Sequence, residues 1–165
     1  MSKRPADQLK QYRDPKLAIS GQVIGFYERE FYPLSNFSSF QVDWHGRRWA
    51  TSEHAYQAAH FFDTAPELAE AISSARSAHD AFKIAKANAD KAPANWEKIK
   101  PALMEDICRH KLEQNEYVRQ KLLQTQELPL VEDSPTDSFW GWGPSQNGRN
   151  QLGKIWMILR LELQH

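Results

Sequence analysis

Cysteine is almost absent from this 165-residue chain, Cys108 being the only one. A single thiol excludes a disulfide framework and a cysteine-built zinc site, and it points to a reducing, cytoplasmic compartment. A charge excess is absent too, with 21 Lys plus Arg against 21 Asp plus Glu. Generic polyanion or membrane-surface binders need a basic surplus, so recognition of phosphate here has to be local. No apolar run reaches the roughly 18 residues of a membrane span. Residues 1–20 are polar, carry Pro5 and Pro15, and lack the apolar stretch of a secretory signal. They read as a loosely ordered lead-in to a domain over 21–165. Internal repeats and low-complexity tracts are missing as well.

What the chain has in quantity is aromatic side chains: six Trp, five Tyr and eight Phe. More than half of them fall between Phe26 and Phe62. Such a density suits a packed core and equally a pocket that stacks planar heterocycles. The length is that of one domain with its own hydrophobic core.

The pattern predicts short strands first and helices afterwards. Val23 to Tyr27 reads as a strand, Pro33 to Phe37 as a turn, and Phe40 to Trp44 and Arg47 to Ala50 as a hairpin closed by His45-Gly46. From Thr51 the period becomes helical, with Thr51 or Ser52 as cap. Thr64-Ala-Pro-Glu67 reads as a capping box opening a second helix. Ser77 caps a third through about Ala87, and Asn95 caps a fourth that Pro101 should kink or restart. Glu116 to Thr125 is a fifth helix and Leu128 to Val131 a short extended segment. Asn150 starts the last helix, whose inner face is Leu152, Ile155, Trp156 and Leu159. The sum is an α+β domain, predominantly helical, with a few short N-terminal strands.

Two constellations carry chemistry. In Thr51-Ser-Glu-His-Ala-Tyr-Gln-Ala-Ala-His-Phe-Phe62, helical spacing puts Glu53, Tyr56, Gln57 and His60 on one face, and Ala55, Ala58, Ala59 and Phe62 on the other. The polar stripe faces either water or a site. Glu53 falls in the first turn, where the helix dipole favours a carboxylate. His54 and His60 share no face, so a zinc pair is not expected. The second constellation is Asp137-Ser-Phe-Trp-Gly-Trp-Gly143 and its continuation to Gly153. Its glycines precede a helix N-terminus, so backbone N–H groups near Gly141 and Gly143, with Arg149 alongside, could cradle a phosphate. An ordinary aromatic-anchored loop ending in a cap fits the same residues. Trp96 continues an apolar helix face and reads first as core, as does Cys108.

Together these motifs resemble the NADAR family, also called YbiA-like proteins. The resemblance is carried by Phe26-Tyr27, Leu34-Ser-Asn-Phe37, Ser52-Glu-His-Ala-Tyr-Gln57, Asn95-Trp-Glu97, Leu130-Val-Glu132, Asp137 with Trp140-Gly141, and Asn150-Gln-Leu-Gly153 leading to Met157-Ile-Leu-Arg160. It spans residues 24 to 162 and implies a compact, mainly helical α+β fold. It also implies N-glycosidase chemistry on ribosyl compounds. The substrates are phosphorylated ribosylamino-pyrimidine intermediates of riboflavin synthesis, or ADP-ribose joined to guanine in nucleosides or nucleic acid. No cofactor, metal, membrane or obligate protein partner is expected. Carried over by position, the site falls on Glu53, Trp96, Asp137 and Trp140, with Asn36 and Asn150 as neighbours. Relatives commonly carry Lys where this chain has His60, and a lysine amine can form a Schiff base that imidazole cannot.

Breaking a ribosyl C–N bond builds positive charge on C1′ and negative charge on the leaving nitrogen. A carboxylate stabilises the first or activates water, and an acid protonates the second. On this reading Glu53 activates water or stabilises the developing cation, Asp137 binds ribose hydroxyls or acts as second acid, and His60 is an alternative proton donor. Trp96 and Trp140 stack on base or sugar, and the loop from Gly143 to Asn150 holds phosphate with Arg149. A nucleic-acid substrate would call for a basic rim, with Arg47, Arg48 and Arg149 as its candidates. The competing class is a binding module for ADP-ribose or a related nucleotide that does not hydrolyse it.

Overall fold

A computed structural model describes residues 23–165; the polar lead-in expected over 1–20 lies outside the described residues. The described chain divides into two compact units, one of Asn36–Glu116 and one formed by the segments before and after it.

The middle unit starts with a hairpin. Strands β1 (Ile24–Gly25), which belongs to the other unit, β2 (Val42–Trp44) and β3 (Arg47–Trp49) follow in chain order. β2 and β3 pair antiparallel, with Val42 opposite Trp49 and Trp44 opposite Arg47. The turn residues His45 and Gly46 both have positive φ, 51° and 71°. That is the twist-matched two-residue turn, and glycine supplies the second position without a Cβ penalty. The alternation leaves Val42, Trp44 and Trp49 buried.

Helix α1 (Ser52–Ala59) follows, then α2 (Pro66–Ser73), α3 (Ala78–Ala87) and α4 (Trp96–Gln114). Eight residues are too few for a helix to hold itself in water. α1 is held by packing on α2, α3, α4 and both hairpin strands. Its alanines 55, 58 and 59 permit that close approach. Thr51 caps it by accepting from the His54 N–H at 3.1 Å. Phe62 lies beyond its last turn, ring against Trp44 and Trp49, while Phe61 is the neighbour fully buried. Ser77 caps α3 as expected, accepting from Asp80 N–H at 3.0 Å.

Three local expectations are corrected. The Thr64 capping box does not form: α2 has no side-chain cap, and the Thr64 hydroxyl instead donates back to the His60 carbonyl at 3.4 Å. Asn95 occupies the N-cap position of α4 without a side-chain cap bond. α4 runs as one helix through Pro101, without a restart. The N–H that proline lacks would have met the carbonyl of Glu97, an exposed first-turn residue that water can serve.

The other unit contains β1, α5 (Glu116–Gln124), β4 (Leu130–Val131) and α6 (Gln151–Leu163). β1 and β4 pair in parallel, Ile24 beside Leu130 and Gly25 beside Val131. α6 packs on β4 and buries Leu152, Ile155, Trp156 and Leu159, the face read from the sequence. The Trp156 indole donates to the Leu34 carbonyl at 2.9 Å, and Arg160 donates to Thr125 and Leu128. The architecture is α+β and predominantly helical, with four short strands among the described residues. None of the described helices is long and apolar enough to cross a membrane.

Candidate active site

The stripe on α1 does not lie against bulk water. Glu53, Tyr56 and Gln57 are each 5% exposed. Burying a carboxylate is unfavourable unless its oxygens are served. Glu53 sits in the first turn, and its Oε1 accepts from Gln57 Nε2 at 2.7 Å, one turn along the same face. Its backbone N–H donates to the Asn36 carbonyl at 3.1 Å. Asn36 is tied down in turn, accepting from the Ser52 hydroxyl at 3.2 Å and donating to the Met104 sulfur. Asn36 therefore anchors the start of α1, and its expected contact with substrate has to compete with these bonds.

His60 caps the C-terminus of α1. Its Nδ1 lies 3.0 Å from the Gln57 carbonyl and 3.2 Å from that of Tyr56. Carbonyls only accept, so Nδ1 carries the proton and Nε2 is left as an acceptor. The ring lies against Trp96 with centroids 3.8 Å apart, and Tyr56 meets it edge-on at 5.2 Å. Burial lowers the His60 pKa from 6.5 to about 4, and the Lys100 charge adds to the lowering. The lowering disfavours the protonated ring that a proton donor would need. At neutral pH the imidazole is uncharged and acts as an acceptor. Trp96 is buried as the core reading expected, with one face of its indole covered by His60. Sequence reasoning stopped at Trp96 and missed Lys100. Helical spacing held the signal, since Lys100 stands four residues on, along the same face of α4.

The Gly- and Trp-rich loop of the other unit is closed on itself. Asp137 Oδ1 accepts from the backbone N–H of both Phe139 and Trp140 at 2.8 Å, an Asx turn. Backbone donors on either side of the helix start are engaged internally: Trp142 N–H by Glu132, Arg149 by Ser138, Asn150 by Gly141, Gln151 by Phe139 and Leu152 by Trp140. The glycines admit chain rather than ligand. A Cβ at Gly141 would stand 2.6 Å from the Glu132 carbonyl, and one at Gly143 (φ 68°) would stand 2.8 Å from Ser138 Cβ. Asn150 adopts φ 50° and clamps α6 to β4, donating to the Leu130 carbonyl and accepting from Glu132 N–H, both at 2.9 Å. Gly153 is required because a Cβ there would run into the Leu130 carbonyl and the Asn150 amide. Trp140 is buried edge-on to Phe139, and Arg149 is exposed with its guanidinium over the same Phe139 ring. Sequence reading also passed over Asp133, whose carboxyl accepts from the Trp142 indole at 2.6 Å and is pushed up by burial.

Arg47 and Arg48 line a cleft of about 360 Å³ with Asp43, Trp44, His45, Gly46 and His110. Both are paired, Arg47 with Glu70 at 2.7 Å and Arg48 with Asp43 at 2.8 Å. Among the described residues no group of His, Cys, Asp and Glu is arranged to hold a metal.

This mainly helical α+β fold, with a buried Glu–Gln pair on a short helix and a Trp-Gly loop before the last helix, is that of the NADAR domain. Residues 25–164 match that domain, and the chain belongs to the NADAR family. It is 34% identical over 143 residues to the N-glycosidase YbiA of Escherichia coli, covering 86% of this chain and 88% of that protein. It is 37% identical over 153 residues to the riboflavin biosynthesis protein VVA0006 of Vibrio vulnificus, covering 92% of this chain. The chain spans only 41% of that relative's length. The NMR structure of E. coli YbiA superposes with a TM-score of 0.78 at 33% identity, over 87% of this chain and 86% of that one.

Proposed function

We propose that this protein hydrolyses the N-glycosyl bond between a ribosyl group and a nitrogenous base. The class of reaction is supported by family membership and by relatives of similar length named N-glycosidases. The observation that carries the mechanism is the buried Glu53–Gln57 pair beside Tyr56, His60 and Trp96. Gln57 fixes Oε1, so the carboxylate is oriented to take a proton from water as that water attacks C1′. The C–N bonding electrons leave with the base nitrogen, which gains a proton. His60 is uncharged at neutral pH and offers Nε2 as an acceptor, a positioning role. On the other unit, the family resemblance carries Asp137 and Trp140 as candidate ribose and base contacts.

Of the two substrate classes, the phosphorylated ribosylamino-pyrimidines are favoured over guanine-linked ADP-ribose. Relatives from Vibrio vulnificus and Zea mays are named riboflavin biosynthesis proteins. The test is mass spectrometry of the products after incubation with each substrate, with Glu53→Gln in parallel. Free pyrimidine from the wild type alone supports the proposal in full. Free ADP-ribose from guanine-modified DNA keeps the reaction and changes the substrate. Binding of either without release moves the protein to the binding-module class.

A further inference from the structure

Lys111 is a cation that the proposed reaction does not use. It is fully buried on α4, as are Cys108 and Met104, one and two turns before it on the same face. Burying an ammonium is unfavourable, and an apolar side chain of similar length would fill that space without the loss of water. Packing alone therefore does not call for a lysine here. The Lys111 Nζ donates to the Ser38 hydroxyl at 2.9 Å and stands 5.6 Å from the centre of the Phe40 ring. Burial lowers its pKa to about 8, so at neutral pH it is still mainly the cation.

Ser38 belongs to a segment laced along α4. Its neighbours alternate, with Asn36 and Ser38 buried and Phe37 and Ser39 exposed. Asn36 donates to the Met104 sulfur at 3.2 Å, and further on the Gln41 carbonyl accepts from Asn115 Nδ2 at 3.1 Å. Asn36 is also what the start of α1 is fastened to. Its carbonyl accepts from the Glu53 N–H at 3.1 Å, and its side-chain oxygen accepts from the Ser52 hydroxyl at 3.2 Å. Two residues of chain thus separate the anchor at Lys111 from the anchor of Glu53.

We propose that Lys111 is a positioning residue for Glu53: by holding Ser38 it fixes the Asn36 carbonyl, and with it the first turn of α1 that aims the carboxylate. Lys111 makes no bond to substrate, and no covalent step is involved. The inference rests on the hydrolytic reading of Glu53 and deepens it. A charge-assisted hydrogen bond, about twice as strong as a neutral one, suits a segment with no strand ladder of its own.

The test compares Ser38→Ala, Lys111→Met and the two together by thermal melts, steady-state kinetics and amide hydrogen exchange. Each single change takes a partner from a buried polar group and should lower the melting temperature. The double variant removes both groups, so its melting temperature should return toward the wild-type value. All three should nevertheless lower kcat by about tenfold to a hundredfold with KM little changed, the loss expected when a reacting group is misplaced by about 1 Å. The Glu53 amide should exchange about tenfold or more faster relative to the amide of Ala81 in α3. A lysine with a structural role alone gives the opposite result in the double variant, with stability and turnover restored together. A folded double variant with wild-type kcat therefore overturns the proposal, as does a folded Ser38→Ala or double variant in which Glu53 exchanges no faster relative to Ala81. If the wild type itself releases no base, the hydrolytic reading fails, and the exchange measurement alone decides whether Lys111 holds Glu53 in place.

Discussion

An imidazole held neutral inside a fold makes stability depend on pH, and His60 gives that dependence a sign and a size. Burial lowers its pKa from 6.5 to about 4. Between those values the unfolded chain binds the proton and the folded chain does not. Stability therefore rises with pH across the window. The His60 contribution is complete above pH 6.5 and is lost as pH falls toward about 4. At 1.36 kcal/mol per pKa unit the full swing is about 3 kcal/mol. The perturbation is His60→Gln, whose amide can still donate to the Gln57 carbonyl but does not titrate. Urea unfolding of both proteins at closely spaced pH values gives the difference in stability, in which all other titrations cancel. The wild type should lose about 3 kcal/mol relative to the variant between pH 6.5 and 4. A flat difference, or an NMR titration of the His60 ring with its midpoint near 6.5, would refute the buried neutral imidazole. It would also restore His60 as a proton donor.

Glu53→Gln should lower turnover by about a hundredfold or more with the melting temperature little changed, read by steady-state kinetics beside thermal melts. Gly46→Ala should lose about 1 kcal/mol in chemical denaturation, because φ is 71° and a Cβ meets nothing within 4 Å, leaving only the conformational penalty. Asn150→Ala should lose about 2–4 kcal/mol, from two buried hydrogen bonds and a left-handed backbone. A folded Asn150→Ala of wild-type stability but weakened ligand affinity would reverse that assignment and make Asn150 a binding residue. Lys111 is fully buried, donates to Ser38 at 2.9 Å and has its pKa lowered by burial to about 8. From pH 8 to 10.5 the unfolded chain holds more protons, so its contribution should make the protein more stable as pH rises through that range. Lys111→Met should abolish that slope.

Periodicity and turn chemistry are local properties, and they were legible. His45-Gly46 needs no tertiary help to prefer its turn, Thr51 and Ser77 cap the helices that follow them, and the α6 face repeats at helical spacing. The ordered motifs also carried the family and, with it, the α+β fold. Spacing put Glu53, Tyr56, Gln57 and His60 on one face, but a helix has no way to state in sequence which of its faces will be covered. Packing of α1 by three helices and a hairpin buried both faces, and that burial turned a polar stripe into a candidate site. The same burial, with the charge of Lys100, lowers the His60 pKa, while its ring lies against Trp96. The glycine loop shows the opposite outcome. Its composition invites a phosphate, but long-range approach of Glu132, Ser138 and Leu130 fills the space and engages the donors. Sequence set the backbone's local preferences and the order of the chemical groups. Only tertiary contact decided which of those groups lost water, because desolvation belongs to neighbours distant in the chain.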